Sequence, residues 1–172
     1  ALGVSGMIAE KAVIEKSRMV KLPQGIADAV AAALPNAVAG SAMALRFRAG
    51  VKGGETVLIN GATGFTGKIA VQVARHYGAK KIIVTGRNEK TLQALRELGA
   101  SEIISVSQDD EGFVSRLKEM HNNTPIDIVI DYLWGHTAEL IRASLKGKGS
   151  FTHSVRFVSV GSVKIGRASW SV

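Results

Sequence analysis

The 172-residue chain has no cysteine, which excludes disulfides, thiolate nucleophiles and cysteine-ligated metal. Its four histidines, His76, His121, His136 and His153, share no ligand spacing, so no metal site is expected within it. No apolar run approaches the ~20 residues that span a bilayer, and Ala1-Leu2-Gly3-Val4-Ser5-Gly6 lacks the basic start and apolar core of a signal peptide. A soluble, cytoplasmic chain with no membrane partner is expected. Aromatics make up only 5% of the residues and do not interleave with arginine, so no platform for stacking single-stranded nucleic acid is present. Acidic residues are also few, 14 against 22 Lys and Arg, which leaves a formal charge of +8. The bases are dispersed. The local clusters, Lys80-Lys81 and Lys146-Gly147-Lys148, fall where a helix end turns into a strand, and there the helix dipole favours cations. The charge reads as solubility and attraction for a polyanionic small molecule, with no nucleic acid partner.

What the chain does have is glycine, 19 in all, and 46% hydrophobic residues, which suits one layered α/β domain. The run Val57-Leu58-Ile59-Asn60-Gly61-Ala62-Thr63-Gly64-Phe65-Thr66-Gly67 is a β-branched apolar strand leading through close-set glycines into a helix. Aligned as Ala62-x-Gly64-x-x-Gly67 it is the dinucleotide fingerprint G-x-G-x-x-G with alanine in the first slot, which a tight turn tolerates at negative φ. Gly64 then lets the main chain approach a pyrophosphate, and Gly67 lets the helix pack close to the strand. The helix carries Ile69 and Val73, and Ala70 and Ala74, at i, i+4 spacing. Its apolar face fits a sheet while its first N–H groups face an anion.

About 20 residues past the last glycine, such a fold places the group that reads the adenine ribose. Here the sequence is Thr85-Gly86-Arg87-Asn88, with no acid to accept from both ribose hydroxyls. Arg87 is a planar cationic fork suited to phosphate oxygens, Gly86 leaves room, and Lys90 follows. The expected cofactor is NADP(H). With each charge-assisted hydrogen bond worth about 1.5–3 kcal/mol, one or two contacts to the 2′-phosphate give a preference of about tenfold to several hundredfold over NAD(H).

Apolar runs alternating with helical patterns predict a Rossmann-type doubly wound parallel sheet. Strands are expected at 56–60, 81–85, 102–106, 127–131 and 156–160, and helices at 64–76, 88–98, 109–121 and 136–145. Asn88 is an expected N-cap and Gly99 an expected C′ residue, with Leu92, Leu95 and Leu98 inward. Right-handed crossovers give strand order 3-2-1-4-5 with the ligand at the carboxyl edge. Ahead of the first strand the pattern suggests a strand at 8–14, an extended exit at 19–23, a helix at 25–34 stopped by Pro35, and another helix at 40–48.

The blocks Gly6-Met7-Ile8-Ala9-Glu10, Val20-Lys21-Leu22-Pro23, Ala31-Ala32-Ala33-Leu34-Pro35 and Gly50-Val51-Lys52-Gly53-Gly54-Glu55-Thr56-Val57 run in order into the glycine turn. Glu97-Leu98-Gly99-Ala100, Asp131-Tyr132-Leu133-Trp134-Gly135 and Val158-Ser159-Val160-Gly161-Ser162 follow. Over 6–161 the chain resembles the medium-chain dehydrogenase/reductases, in particular their zinc-independent quinone oxidoreductase branch. The resemblance implies hydride transfer from NADPH to a small-molecule quinone or enone, without metal. It places Ala62, Thr63, Gly64, Phe65, Thr66 and Gly67 around the pyrophosphate, and Gly86, Arg87, Asn88 and Lys90 around the 2′-phosphate. Leu133, Trp134, Gly161 and Ser162 flank the nicotinamide end, and Ser41 stands where the family often has a threonine near the carboxamide. Trp134 replaces a small residue there, either closing the pocket in part or packing as core. By the same resemblance, 1–23 is the remnant of a GroES-like catalytic domain and 24–172 a C-terminally truncated NADP(H)-binding domain. Such a fragment is expected to bind cofactor with little turnover, its catalytic residues lying elsewhere. Family members often pair through an edge strand, here 156–160, so a homodimer is one state open to it, alongside association through apolar surface that truncation exposes.

Tyr77-x-x-x-Lys81 imitates the acid-base pair of short-chain dehydrogenases, but Gly78 ends a helix between the two residues and leaves them on different elements. An atypical short-chain reductase would begin within a few residues of its glycine motif, and here a long segment precedes it. A non-catalytic NADP(H)-binding module or sensor remains an alternative, as does a fragment of a zinc alcohol dehydrogenase.

Overall fold

The computed structural model describes residues 9–147 and 152–161. These fall in two units divided between Asn36 and Ala37. In the first, the expected strand at 8–14 is not found: its described part is exposed chain ending in a 3-10 turn, Lys16–Arg18. An extended segment becomes a strand only when a neighbour accepts its ladder of hydrogen bonds, and none does so among the described residues.

Helix α1 (Asp28–Ala42) carries Pro35 within it and continues without a break into a π-helical stretch, Met43–Arg48. The expected stop at Pro35 and the separate helix at 40–48 are therefore one element. Proline removes a single N–H and crowds one carbonyl, and a long alanine-rich run absorbs that loss. The merged helix, Asp28–Arg48, has 21 residues and contains an 18-residue window of mean hydropathy 1.2, long and apolar enough by length and composition to cross a membrane. The expectation that no segment reaches such a length is thereby corrected. Helices of the same length and composition also occur in larger soluble domains.

The second unit is a five-stranded parallel sheet in the order β3-β2-β1-β4-β5. Its strands are β1 (Thr56–Asn60), β2 (Lys81–Gly86), β3 (Glu102–Ser105), β4 (Ile128–Asp131) and β5 (Arg156–Ser159). The crossover helices are α2 (Phe65–His76), α3 (Glu89–Leu98), α4 (Asp110–Asn123) and α5 (His136–Leu145). Strand alternation divides the core into two layers. Val57, Ile59, Ile82 and Val84 pack with Ala70, Val71, Leu92 and Leu95 on one face. Leu58, Ile83 and Val129 pack with Phe113, Leu117 and Ile141 on the other. Each of these large side chains contributes about 1.5–3 kcal/mol by leaving water. The buried face of α2 is Gly67, Ala70, Val71 and Ala74, with Ile69 and Val73 at its margin.

Local signals hold where they were strongest. The Asn88 side chain accepts from Thr91 N at 2.8 Å, and Gly99 ends α3 at φ 118°. Tyr77 caps α2 and Lys81 opens β2, so the Tyr-x-x-x-Lys spacing joins two elements.

At the amino edge of the sheet, His121 Nδ1 accepts from Ile126 N at 3.0 Å, while His153 Nε2 lies 2.9 Å from Asp127 Oδ1. Burial lowers the His121 pKa below the ordinary 6.5, nearby His153 lowers it further, and Asp127 pulls it up. A base whose folded pKa is depressed stabilises the fold above its unfolded pKa and loses that stabilisation as pH falls through the folded value. Protonation of Nδ1 also removes the acceptor for Ile126. The urea midpoint is expected to fall between about pH 7 and 5, and His121→Gln to flatten that fall. An identical slope in the variant would exclude His121 as its source.

Candidate functional site

Three of the central strands share a run at or near their carboxyl ends: three apolar residues, then one polar. These are Val57-Leu58-Ile59-Asn60, Ile82-Ile83-Val84-Thr85 and Ile128-Val129-Ile130-Asp131. Parallel register brings Asn60 level with both Thr85 and Asp131. All three polar residues are fully buried. Thr85 Oγ1 donates to Asn60 Oδ1 at 2.5 Å, and Asn60 Nδ2 donates to Asp131 Oδ1 at 2.8 Å. The same Asp131 oxygen accepts from Leu133 N at 3.0 Å and Trp134 N at 3.3 Å. This web forms a buried polar floor at the carboxyl edge of the sheet and ties the loop after β4 to the ends of β1 and β2.

Above the floor, Gly61 adopts φ 84°, and a Cβ there would lie 2.7 Å from Leu133 Cγ. Gly61 is therefore the left-handed residue of the turn. Ala62 is fully buried and has no positive φ, as an alanine in this turn requires. Gly67 packs so closely that a Cβ would meet Ala62 Cα and Gly61 O at 2.5 Å. Gly64 differs. It is the N-cap of α2, exposed, and its Cβ position has nothing nearer than Gly61 O at 3.9 Å.

Helix α2 begins with no capping side chain and no acidic residue in its first turn. Its leading N–H groups have no intrahelical acceptor and carry the positive end of the dipole. By contrast α3 and α4 are capped by Asn88 and Asp109. Arg87 and Lys90 are exposed and make no ion pair among the described residues. The arrangement fits a dinucleotide: an open face at Gly64, an uncapped helix for the pyrophosphate, and free cations at the end of β2.

The residues expected to flank the nicotinamide are less regular. Leu133 and Phe65 are exposed apolar side chains beside the turn. Trp134 holds φ 60°, unusual for a bulky residue, and its indole N–H is buried without a partner among the described residues, as is Asp131 Oδ2. Ser41 is fully buried with its hydroxyl 3.0 Å from Tyr132 OH. Burial raises the Tyr132 pKa, and the Ser41 hydrogen bond partly offsets that. Gly161 is exposed at φ 82°, and Ser162 lies outside the described residues. Sequence reasoning missed Gly61 as the left-handed residue and the Asn60, Thr85 and Asp131 floor. The signal was the polar residue ending each apolar strand.

Residues 66–162, more than half the chain, match the family model described as zinc-binding dehydrogenase. The chain belongs to this family of medium-chain dehydrogenase/reductases. Acryloyl-coenzyme A reductase from Sulfurisphaera tokodaii is 40% identical over 51% of this chain and 26% of its own length. The Escherichia coli quinone oxidoreductase solved with NADPH is 30% identical, with a TM-score of 0.66 over 76% of this chain and 39% of that one. CurK enoyl reductase is 28% identical, with a TM-score of 0.71 over 86% of this chain and 42% of that one. Of the large polyketide synthases first matched, the chain spans 4–6%. The zinc of the family's description finds no ligand set among the described residues. The sequence has no cysteine, and the described residues contain no group of three or more His, Asp or Glu that could hold a metal ion.

Proposed function

We propose that this zinc-binding dehydrogenase family member is the NADP(H)-binding part of a reductase acting on a conjugated carbonyl substrate, a quinone or an enone. The observation that carries the reading is the pairing of the open, uncapped turn at Gly64 with unpaired Arg87 and Lys90, where an NAD-selective site would place an acid. The structural neighbours support it: one is a quinone oxidoreductase complexed with NADPH and another an enoyl reductase.

When bound, NADPH supplies the hydride. The chain's own residues bind and orient. The first N–H groups of α2 hold the pyrophosphate, and Gly64 lets it approach the main chain. Arg87 offers two parallel donors to the 2′-phosphate, and Lys90 adds a point charge. Asn88 is committed through its carbonyl oxygen to capping α3. Leu133 and Trp134 present apolar surface beside the nicotinamide and exclude water from it.

Calorimetry at one fixed salt concentration tests the reading. The 172-residue chain is expected to bind NADPH at least about tenfold more tightly than NADH. Arg87→Asp is expected to weaken NADPH by about tenfold to several hundredfold while moving NADH only slightly. Equal affinities in the wild type would sink the phosphate-reading role.

A further inference from the structure

Strand β2 lies between β1 and β3, so the Gly86-Arg87 peptide at its end is reached from both neighbours. From the β1 side, Ala62 N donates to Thr85 O at 2.9 Å and Gly61 N donates to Thr85 Oγ1 at 3.3 Å. Thr63 follows them and fills the space of the side chain that Gly86 lacks. A Cβ on Gly86 would lie 2.3 Å from Thr63 Cγ2 and 3.0 Å from its Oγ1. Gly86 has no positive φ, so its smallness answers to Thr63 and not to its own backbone. From the β3 side, Val106 N donates to Gly86 O at 3.0 Å and Ser107 Oγ donates to Arg87 O at 3.2 Å. Ser107 N is in turn held by Ser105 Oγ at 3.2 Å.

We propose that Thr63 and Ser107 are positioning residues for Arg87, holding the Gly86-Arg87 main chain from the turn after β1 and from the loop after β3 so that the Arg87 guanidinium discriminates between phosphorylated and unphosphorylated adenine ribose. The inference rests on the NADP(H) reading above. An exposed arginine with four rotatable bonds loses rotamer freedom when it grips a ligand, and a fixed backbone origin reduces that loss. The clamp also joins two jobs. The turn that receives the pyrophosphate and the loop that reads the 2′-phosphate meet through the Thr63 methyl group, so displacing one displaces the other.

The test measures dissociation constants for both NADPH and NADH on the same preparations, with melting temperatures as a check on folding. Ser107→Ala is expected to weaken NADPH about three- to tenfold, the range of one hydrogen bond, and to leave NADH within about twofold. Gly86→Ala drives Thr63 from its place and is expected to lower the NADPH:NADH preference at least about fivefold. The double variant Gly86→Ala with Thr63→Ser moves the methyl group from one side of the contact to the other and is expected to restore most of the preference. A structural role without positioning would weaken both nucleotides in parallel or lower the melting temperature alone, and either result overturns the proposal. So does a double variant no better than Gly86→Ala. A wild type that binds neither nucleotide overturns the NADP(H) reading itself, whereas a selective wild type with unaffected variants overturns only the clamp.

Discussion

Gly67→Ala is expected to cost about 3 kcal/mol of folding stability or more, and nucleotide binding with it. The added Cβ would stand 2.5 Å from Ala62 Cα and Gly61 O, and 2.9 Å from Ala62 C. These are backbone atoms of a turn whose path is fixed by Ala62 N on Thr85 O and by the left-handed Gly61, so no side chain can swing away to make room. Relief requires lifting α2 off the sheet, which unpacks Ala70, Val71 and Ala74 from the core. Gly64→Ala is the contrast. Its Cβ meets only Gly61 O at 3.9 Å, so stability should change by about 1 kcal/mol at most, while NADPH affinity falls at least about tenfold. Urea denaturation followed by circular dichroism, with calorimetric titration of each variant, separates the two glycines. If both variants lose stability equally, the distinction between a packing glycine and a ligand glycine fails.

Asp131→Ala is expected to destabilise the second unit by about 3 kcal/mol, because one carboxylate oxygen serves three donors. Asn60 Nδ2, Leu133 N and Trp134 N all bond Oδ1. Asn60 is fully buried, so its amide has no water to turn to, and an unsatisfied buried donor costs about 1–3 kcal/mol. The loop after β4 loses at once the two hydrogen bonds that Leu133 N and Trp134 N make to this oxygen. Asp131→Asn retains an acceptor oxygen in the same place and should cost clearly less than the alanine variant. Chemical denaturation of the pair is the measurement, and an alanine variant as stable as the asparagine one would mean that Oδ1 is not the anchor.

The fold was legible in the sequence because its signals were local and redundant. β1 was readable from a β-branched run between glycines, and α3 from its Asn88 cap and Gly99 stop. Strand order followed from the handedness of the crossovers. The turn was legible as a dinucleotide motif but not in its parts, since glycine spacing alone does not say which residue takes the left-handed φ. Nor does it show that Leu133, 72 positions away from Gly61, fills the space where a Gly61 side chain would stand. The polar floor at the strand ends was missed for a related reason. Asn60, Thr85 and Asp131 become partners only through sheet register, which no single segment encodes. Pro35 misled because a helix stop was read from one residue, whereas the run on either side of it favoured continuation. Trp134 remains the least anticipated residue: neither the motif nor its helical neighbours suggests a bulky side chain at positive φ.

The unequal treatment of helix ends has a thermodynamic consequence. Where α3 and α4 are completed by their own side chains, α2, like α5, has no capping side chain, and on the proposed reading its opening turn is completed by the nucleotide's pyrophosphate. The nucleotide is then a removable piece of secondary structure, and the protein's resistance to unfolding becomes a readout of its supply, rising by about 2.7 kcal/mol when free ligand reaches a hundred times its dissociation constant. A chain built this way is at its weakest when its cofactor pool is empty.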